Sequence, residues 1–311
     1  MKKSKNNLYV NYSLFENDIY IPSKPIERVD KLAPGVYTIK RDANGQIYFN
    51  NMQVTSDTLI DLPSFISKQI IDEVNNFWSE EVRKRFDRRG MTYKRGILLH
   101  GTHGTGKSSI IIKLMQEEVK RGGIVFFCPT PNILSAGAKI VREIQGDVRM
   151  LVVFEEFEKI LYQDESNFLS LLDGELQIDN VVYIATTNYI NEIPPRIKDR
   201  PSRFATVVEV PLPDAETRRL FIEAKTFPDE NVNIEAWVEA TEGMTIDHIK
   251  DLIISVFCIG VSLEEAAERA KNMINSRTAL DELEDLDPYS QPNNNKKMSK
   301  AELLSRVLHG F

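Results

Sequence analysis

The chain has 311 residues, 46 acidic against 39 basic, and a formal charge of −7. Hydrophobic residues make up 42% and charged residues 27%, ordinary usage for a globular chain, which excludes a disordered, collagen-like or disulfide-stapled protein. The mild acidity argues against a protein whose main task is coating nucleic acid, while leaving room for a local basic patch.

Cys128 and Cys258 lie far apart in apolar runs and read as small buried hydrophobes rather than a bridge or metal ligands. The four histidines have no metal-binding spacing. The N-terminal Met-Lys-Lys-Ser-Lys-Asn-Asn is followed by no apolar segment, so no secretory signal is expected. The longest apolar run, Ile253–Val261, is far short of the ~20 residues of a membrane helix. A cytoplasmic protein with no membrane span is the expectation.

In chain order, residues 1–60 read as an N-terminal β-rich element. Val36–Ile39 and Gln46–Phe49 flank Asp42-Ala43-Asn44-Gly45, a hairpin signal. Residues 64–89 read as one helix, capped by Ser64, with Ile66, Ile70, Val74, Phe77 and Trp78 on its core face. From Arg95 strands alternate with helices. The strands are 97–100, 124–128, 151–154, 181–186 and 205–210, continuous apolar or β-branched runs typical of a parallel sheet buried on both faces. The helices between them are expected over 107–120, 138–144 and 166–172. After Pro211-Leu212-Pro213 only helices follow, over 214–224, 234–240, 246–257 and 263–272. The division is therefore an α/β core at 61–213, a helical lid at 214–286, and a linker with an amphipathic end at 287–311, where Leu304, Val307, Leu308 and Phe311 share a face.

Gly101-Thr102-His103-Gly104-Thr105-Gly106-Lys107-Ser108 matches the phosphate-loop pattern G-x-x-x-x-G-K-[ST] in full, between an expected strand and an expected helix. Glycines let backbone wrap phosphates, and loop N–H groups with the helix N-terminus present positive potential to an anion. Thr102 to Ser109 form the nucleotide-binding candidate; Lys107 would contact the β- and γ-phosphates of ATP, and Ser108 would hold Mg²⁺. His103 reads as a loop spacer.

The strand 151–154 ends in Glu155 and Glu156. In phosphate-loop ATPases the first acid sits near Mg²⁺ and the second polarises the attacking water, so Glu155 is the metal candidate and Glu156 the general base. Glu stands at 155 where Asp is usual, which lengthens the reach to the metal. Glu158 reads as structural or a minor electrostatic contributor. The strand 181–186 leads to Asn188, either a water-orienting amide or a turn former. Arg196, Arg200 and Arg203 follow; composition alone reads them as surface ion pairs, and their placement also suits arginine fingers reaching a neighbouring subunit.

Taken together these residues resemble the AAA family of ATPases, within the AAA+ superfamily, from about Asp61 to Val261. Glu155-Glu156 resembles its Walker B acids, Asn188 its sensor 1, and Arg200-Pro-Ser-Arg203-Phe204 its arginine-finger pair. Gly243-Met-Thr-Ile-Asp-His248 only half keeps the family's lid motif. Arg95–Gly101 and Thr187–Ile190 look closest to the mitochondrial Rieske-protein translocases, whose membrane helix is not expected here, or to soluble bacteriophage-encoded relatives.

The resemblance implies a parallel five-stranded core, ATP hydrolysis with Mg²⁺, and a homo-oligomeric ring, a hexamer in this family, in a bacterial or phage-infected cytoplasm. The segment Pro129–Gly137, matching the family's first pore loop, has no aromatic to grip a threaded chain. The expected task is therefore remodelling or moving a folded protein partner. The alternatives are a nucleic-acid loader or replication accessory, against which the charge and the lack of a DNA-binding module count, and an ATP-gated scaffold with low turnover.

Overall fold

The computed structural model describes residues 11–15, 19–23, 29–52, 65–127 and 129–285. Ser64, Cys128, the linker and the amphipathic end with Leu304, Val307, Leu308 and Phe311 lie outside the described residues.

β1 (Asn11–Phe15) and β2 (Ile19–Ser23) form an antiparallel pair. β3 (Gly35–Arg41) and β4 (Ile47–Met52) form the expected hairpin. Asp42 holds its turn: Oδ1 accepts the N–H groups of Asn44 at 2.9 Å and Gln46 at 2.8 Å, with Gly45 at φ 84°.

The single helix expected over 64–89 is two, α1 (Phe65–Phe77) and α2 (Glu80–Asp87). Ser79 turns to extended backbone between them, and its Oγ accepts the Val82 N–H at 3.3 Å. A serine cap followed by Glu80 and Glu81 is a helix start, and it outweighs the apolar stripe running through it.

β5 (Lys94–His100), α3 (Lys107–Lys120), β6 (Ile124–Phe127), α4 (Pro131–Gln145), β7 (Met150–Phe154), α5 (Phe157–Asp173), β8 (Val181–Thr187), the short α6 (Pro195–Lys198) and β9 (Thr206–Glu209) complete the core. The sheet order is β4-β3-β6-β7-β8-β5-β9, parallel apart from the β3–β4 hairpin. Alternate residues feed two cores. Leu98, Val152 and Tyr183 face the side covered by α4 and α5, while Ile97, Val153 and Ile184 face the side covered by α1 and α3.

Among the described residues the sheet has seven strands where five were expected. The hairpin is not a separate element: β3 pairs with β6, burying Tyr37 and Ile39 on one face and Val36 on the other. Gly137 of α4 permits this, since a Cβ there would come within 2.9 Å of Ile39.

α4 starts at Pro131, seven residues before the expected 138, and α5 starts at Phe157 rather than 166. α5 carries a kink at Asp164, whose Oδ1 accepts from Asn167 Nδ2 at 2.8 Å.

α7 (Ala215–Glu223), α8 (Ile234–Ala240), α9 (Ile246–Ile253) and α10 (Leu263–Asp285) build a third apolar cluster around Ile222, Trp237, Met244 and Ile249. The helix expected to run to 257 changes to a π-helical turn at Ile254–Ile259. Its wider winding carries residues off the buried face, so Cys258, expected to be buried, is exposed.

Among the described residues no helix is long and apolar enough to cross a membrane.

Candidate functional site

β7, β8 and β5 are parallel neighbours, so their C-terminal ends share one edge of the sheet. That edge brings together the loop 101–106, the acids Glu155 and Glu156, and Asn188. A cavity of about 680 Å³, lined by Asn75, Trp78, Arg121, Asp147 and Arg149, lies at the opposite ends of β6 and β7.

The loop folds as its glycines dictate. Gly104 has φ 78°, and Gly106, at φ 99°, turns the chain into α3. Thr105 Oγ1 donates to the Thr102 carbonyl at 3.0 Å. Lys107 is 7% exposed, and its Nζ donates to the carbonyls of Gly101 and Thr102, both at 2.7 Å. Burial pushes its ammonium below the usual lysine range, opposed by the charges of Glu158 and Asp247. Ser108 and Ser109 are exposed on the first turn of α3, and Thr102 and His103 on the loop.

Glu156 precedes α5 in the left-handed region, φ 52° and ψ 51°, and its Oε2 pairs with Lys159 Nζ at 2.7 Å. That hydrogen bond raises the Lys159 pKa. Glu155 is half-buried at the strand end, and Asn188 is half-buried one residue past β8.

The arginines divide. Arg200 is exposed and enters no ion pair among the described residues. Arg203 is 7% exposed, and its Nε and Nη2 donate to Asp173 Oδ2 at 2.8 Å and Oδ1 at 3.1 Å, while Nη1 donates to the Arg196 carbonyl. Burial works against the Asp173 carboxylate, but the hydrogen bond and charge of Arg203 outweigh it and hold its pKa below the usual range. Arg203 therefore does not stand free as a finger: it clamps the turn that carries Arg200. Arg196 pairs with Glu165, as composition alone suggested.

Four residues, Glu158, Thr245, Asp247 and Tyr189, stand at the site without having been expected among its site residues. Glu158, set aside as minor, is buried with no hydrogen-bond partner on either carboxylate oxygen, and its charge favours the protonated Lys107. Its place three residues after Glu155, on the first turn of a helix leaving the site, was the available signal. Thr245 and Asp247, at the start of α9, lie against the loop: a Cβ on Gly104 would come within 2.8 Å of Thr245 Oγ1 and of Asp247 Oδ2. His248 folds back on its own helix cap, with Nδ1 3.0 Å from Thr245 Oγ1. Tyr189 stands beside His103, its hydroxyl 3.3 Å from Nε2.

The Gly104 contact makes a prediction. Gly104→Ala should lower thermal stability and weaken binding of a fluorescent ATP analogue about tenfold, through backbone strain and collision with α9. Gly122→Ala, at φ 84° with open space around it, carries the strain without the collision. It should leave nucleotide binding unchanged, and equal effects from both would remove the contact from the account.

Residues 97–212 match the sequence profile of the ATPase family associated with various cellular activities (AAA). Over that stretch the chain is similar to AAA ATPases. Similar proteins include the proteasome-activating nucleotidases of Saccharolobus islandicus (25% identical over 218 residues, 61% of this chain and 54% of the relative) and Aeropyrum pernix (31% over 199 residues, 54% and 46%). That of Sulfurisphaera tokodaii is 27% identical over 222 residues, 64% of this chain and 55% of the relative. The chain thus spans about half the length of these relatives.

Proposed function

We propose that this chain works as a Mg²⁺-dependent ATPase in a homo-oligomeric ring, a hexamer, that remodels or moves a folded protein partner in the cytoplasm. The observation that carries the reading is the shared sheet edge, which gathers a phosphate loop, two acids and an amide within one site.

The loop N–H groups and Lys107 bind the ATP phosphates. Ser108 and Glu155 offer the hard oxygen donors that suit Mg²⁺, which supplies charge neutralisation at the β- and γ-phosphates when bound. Glu156 takes a proton from water as the water oxygen bonds to the γ-phosphorus. The bond from that phosphorus to the bridging oxygen breaks, giving ADP and phosphate, and Asn188 orients the water. Glu156 first has to leave Lys159, a half-exposed pair of modest strength. Arg200, exposed and held by the Arg203 clamp, reaches the γ-phosphate of the neighbouring subunit.

The partner reading rests on the segment 129–137. It lies largely within α4, with Leu134, Ser135 and Gly137 buried, so it offers no aromatic grip for a threaded chain. Relatives named as proteasome-activating nucleotidases support work on proteins in general. The finer likeness, to Rieske-protein translocases or bacteriophage-encoded relatives, rests on residues 95–101 and 187–190.

Two measurements test this. ATP turnover per protomer should rise with protein concentration as the shared site assembles; strict proportionality from a proven monomer would refute the ring. Robust ATP-driven unfolding of a tagged substrate would refute the remodelling reading in favour of threading.

A further inference from the structure

The phosphate loop is tied to the end of β8 by a contact between His103 of the loop and Tyr189. His103 Nε2 and the Tyr189 hydroxyl are 3.3 Å apart, and the two rings meet edge-on with centroids 5.8 Å apart and planes at 71°. Tyr189 is fixed at its backbone: its N–H donates to Thr187 Oγ1 at 3.0 Å, and its carbonyl accepts from Glu192 N–H at 3.0 Å. The tyrosine therefore presents its ring from an anchored position directly after Asn188. His103 stands on a loop beside left-handed glycines at Gly104 and Gly106.

Lys159, paired with Glu156, is within electrostatic reach of Tyr189. Tyr189 is 46% exposed and His103 is exposed, so the pair buries little surface and does little for the core. What it does fix is the position of the loop tip relative to the strand end.

We infer that His103 and Tyr189 form a latch, and that Tyr189 is a positioning residue for hydrolysis, acting through His103 on the loop that holds the phosphates. This rests on the ATPase reading above. The latch holds the loop and Asn188 in register, so that bound γ-phosphate and attacking water keep one geometry. Losing one modest hydrogen bond with its ring contact shifts an opening equilibrium about three- to tenfold.

The test uses the full chain and two readouts. In the first, amide hydrogen exchange is followed in the peptide spanning residues 101–106. Tyr189→Phe removes only the hydroxyl and should speed exchange there about three- to tenfold; His103→Ala should do the same, and the double variant should go no further. His103→Gln, which keeps a side chain able to hydrogen-bond the hydroxyl, should restore slow exchange. Unchanged exchange in Tyr189→Phe, or effects of the two substitutions that multiply, would overturn the latch.

In the second, steady-state ATP turnover in Tyr189→Phe should show kcat reduced about three- to tenfold with KM within about twofold. A raised KM with unchanged kcat would overturn the positioning role. Failure of the ATPase reading looks different: the wild type would show no turnover that Glu156→Gln abolishes. The exchange measurement decides the latch in that case too.

Discussion

Glu156→Gln is expected to bind ATP with unchanged affinity and to lose turnover by about 10²- to 10⁴-fold. The amide keeps the size and much of the hydrogen bonding of the carboxylate but cannot accept the proton of the attacking water. Glu156 is half-exposed, so the fold should not change. Its partner Lys159 is 65% exposed and loses only a solvated ion pair, so the melting temperature should stay within about a degree or two. A fluorescent-nucleotide titration beside a phosphate-release assay separates binding from chemistry. Near wild-type turnover would move the general base elsewhere, with the buried Glu158 next in place.

The second large effect separates the two arginines. Arg203→Ala should cost about 3 kcal/mol of stability, the low end for removing one partner of a buried pair, because Asp173 keeps 22% exposure and can rehydrate. Arg200→Ala, on an exposed side chain with no ion pair among the described residues, should leave the melting temperature unchanged while lowering turnover about 10³-fold. Thermal melts with turnover on the same samples check both. If Arg203→Ala melts like the wild type and Arg200→Ala does not, the assignment of clamp and finger is reversed.

The legible part of this molecule is the part built from local chemistry. The phosphate loop, the strands leading to Glu156 and Asn188, and the Asn-Gly hairpin each follow from residue types at fixed spacing, and these strands stand within about three residues of their expected bounds. What the sequence hid was pairing across long distances. Nothing in Val36-Tyr37-Thr38-Ile39 says that its edge meets Ile124–Phe126, and that single pairing turns a small N-terminal element into part of the core sheet.

The same holds for side chains. Arg203 read like Arg200 because both are arginines in one turn; only the approach of Asp173 from the end of α5, 30 residues earlier, separates them. Glu158 read as structural or a minor electrostatic contributor, and its burial within electrostatic reach of Lys107 depends on how α5 leaves the sheet. Ser79 is the opposite case. A capping serine before two glutamates was readable, and the apolar stripe through Trp78 hid it.

The central claim, a nucleotide site completed by the neighbouring subunit, is tested most directly by mixing two inactive proteins. Glu156→Gln keeps Arg200, and Arg200→Ala keeps Glu156. In a ring built from head-to-tail contacts, an equal mixture places an intact Glu156 opposite an intact Arg200 at about a quarter of the interfaces. The mixture should therefore recover roughly a quarter of the wild-type ATP turnover per protomer. Turnover no greater than the average of the two separate variants would contradict a shared site.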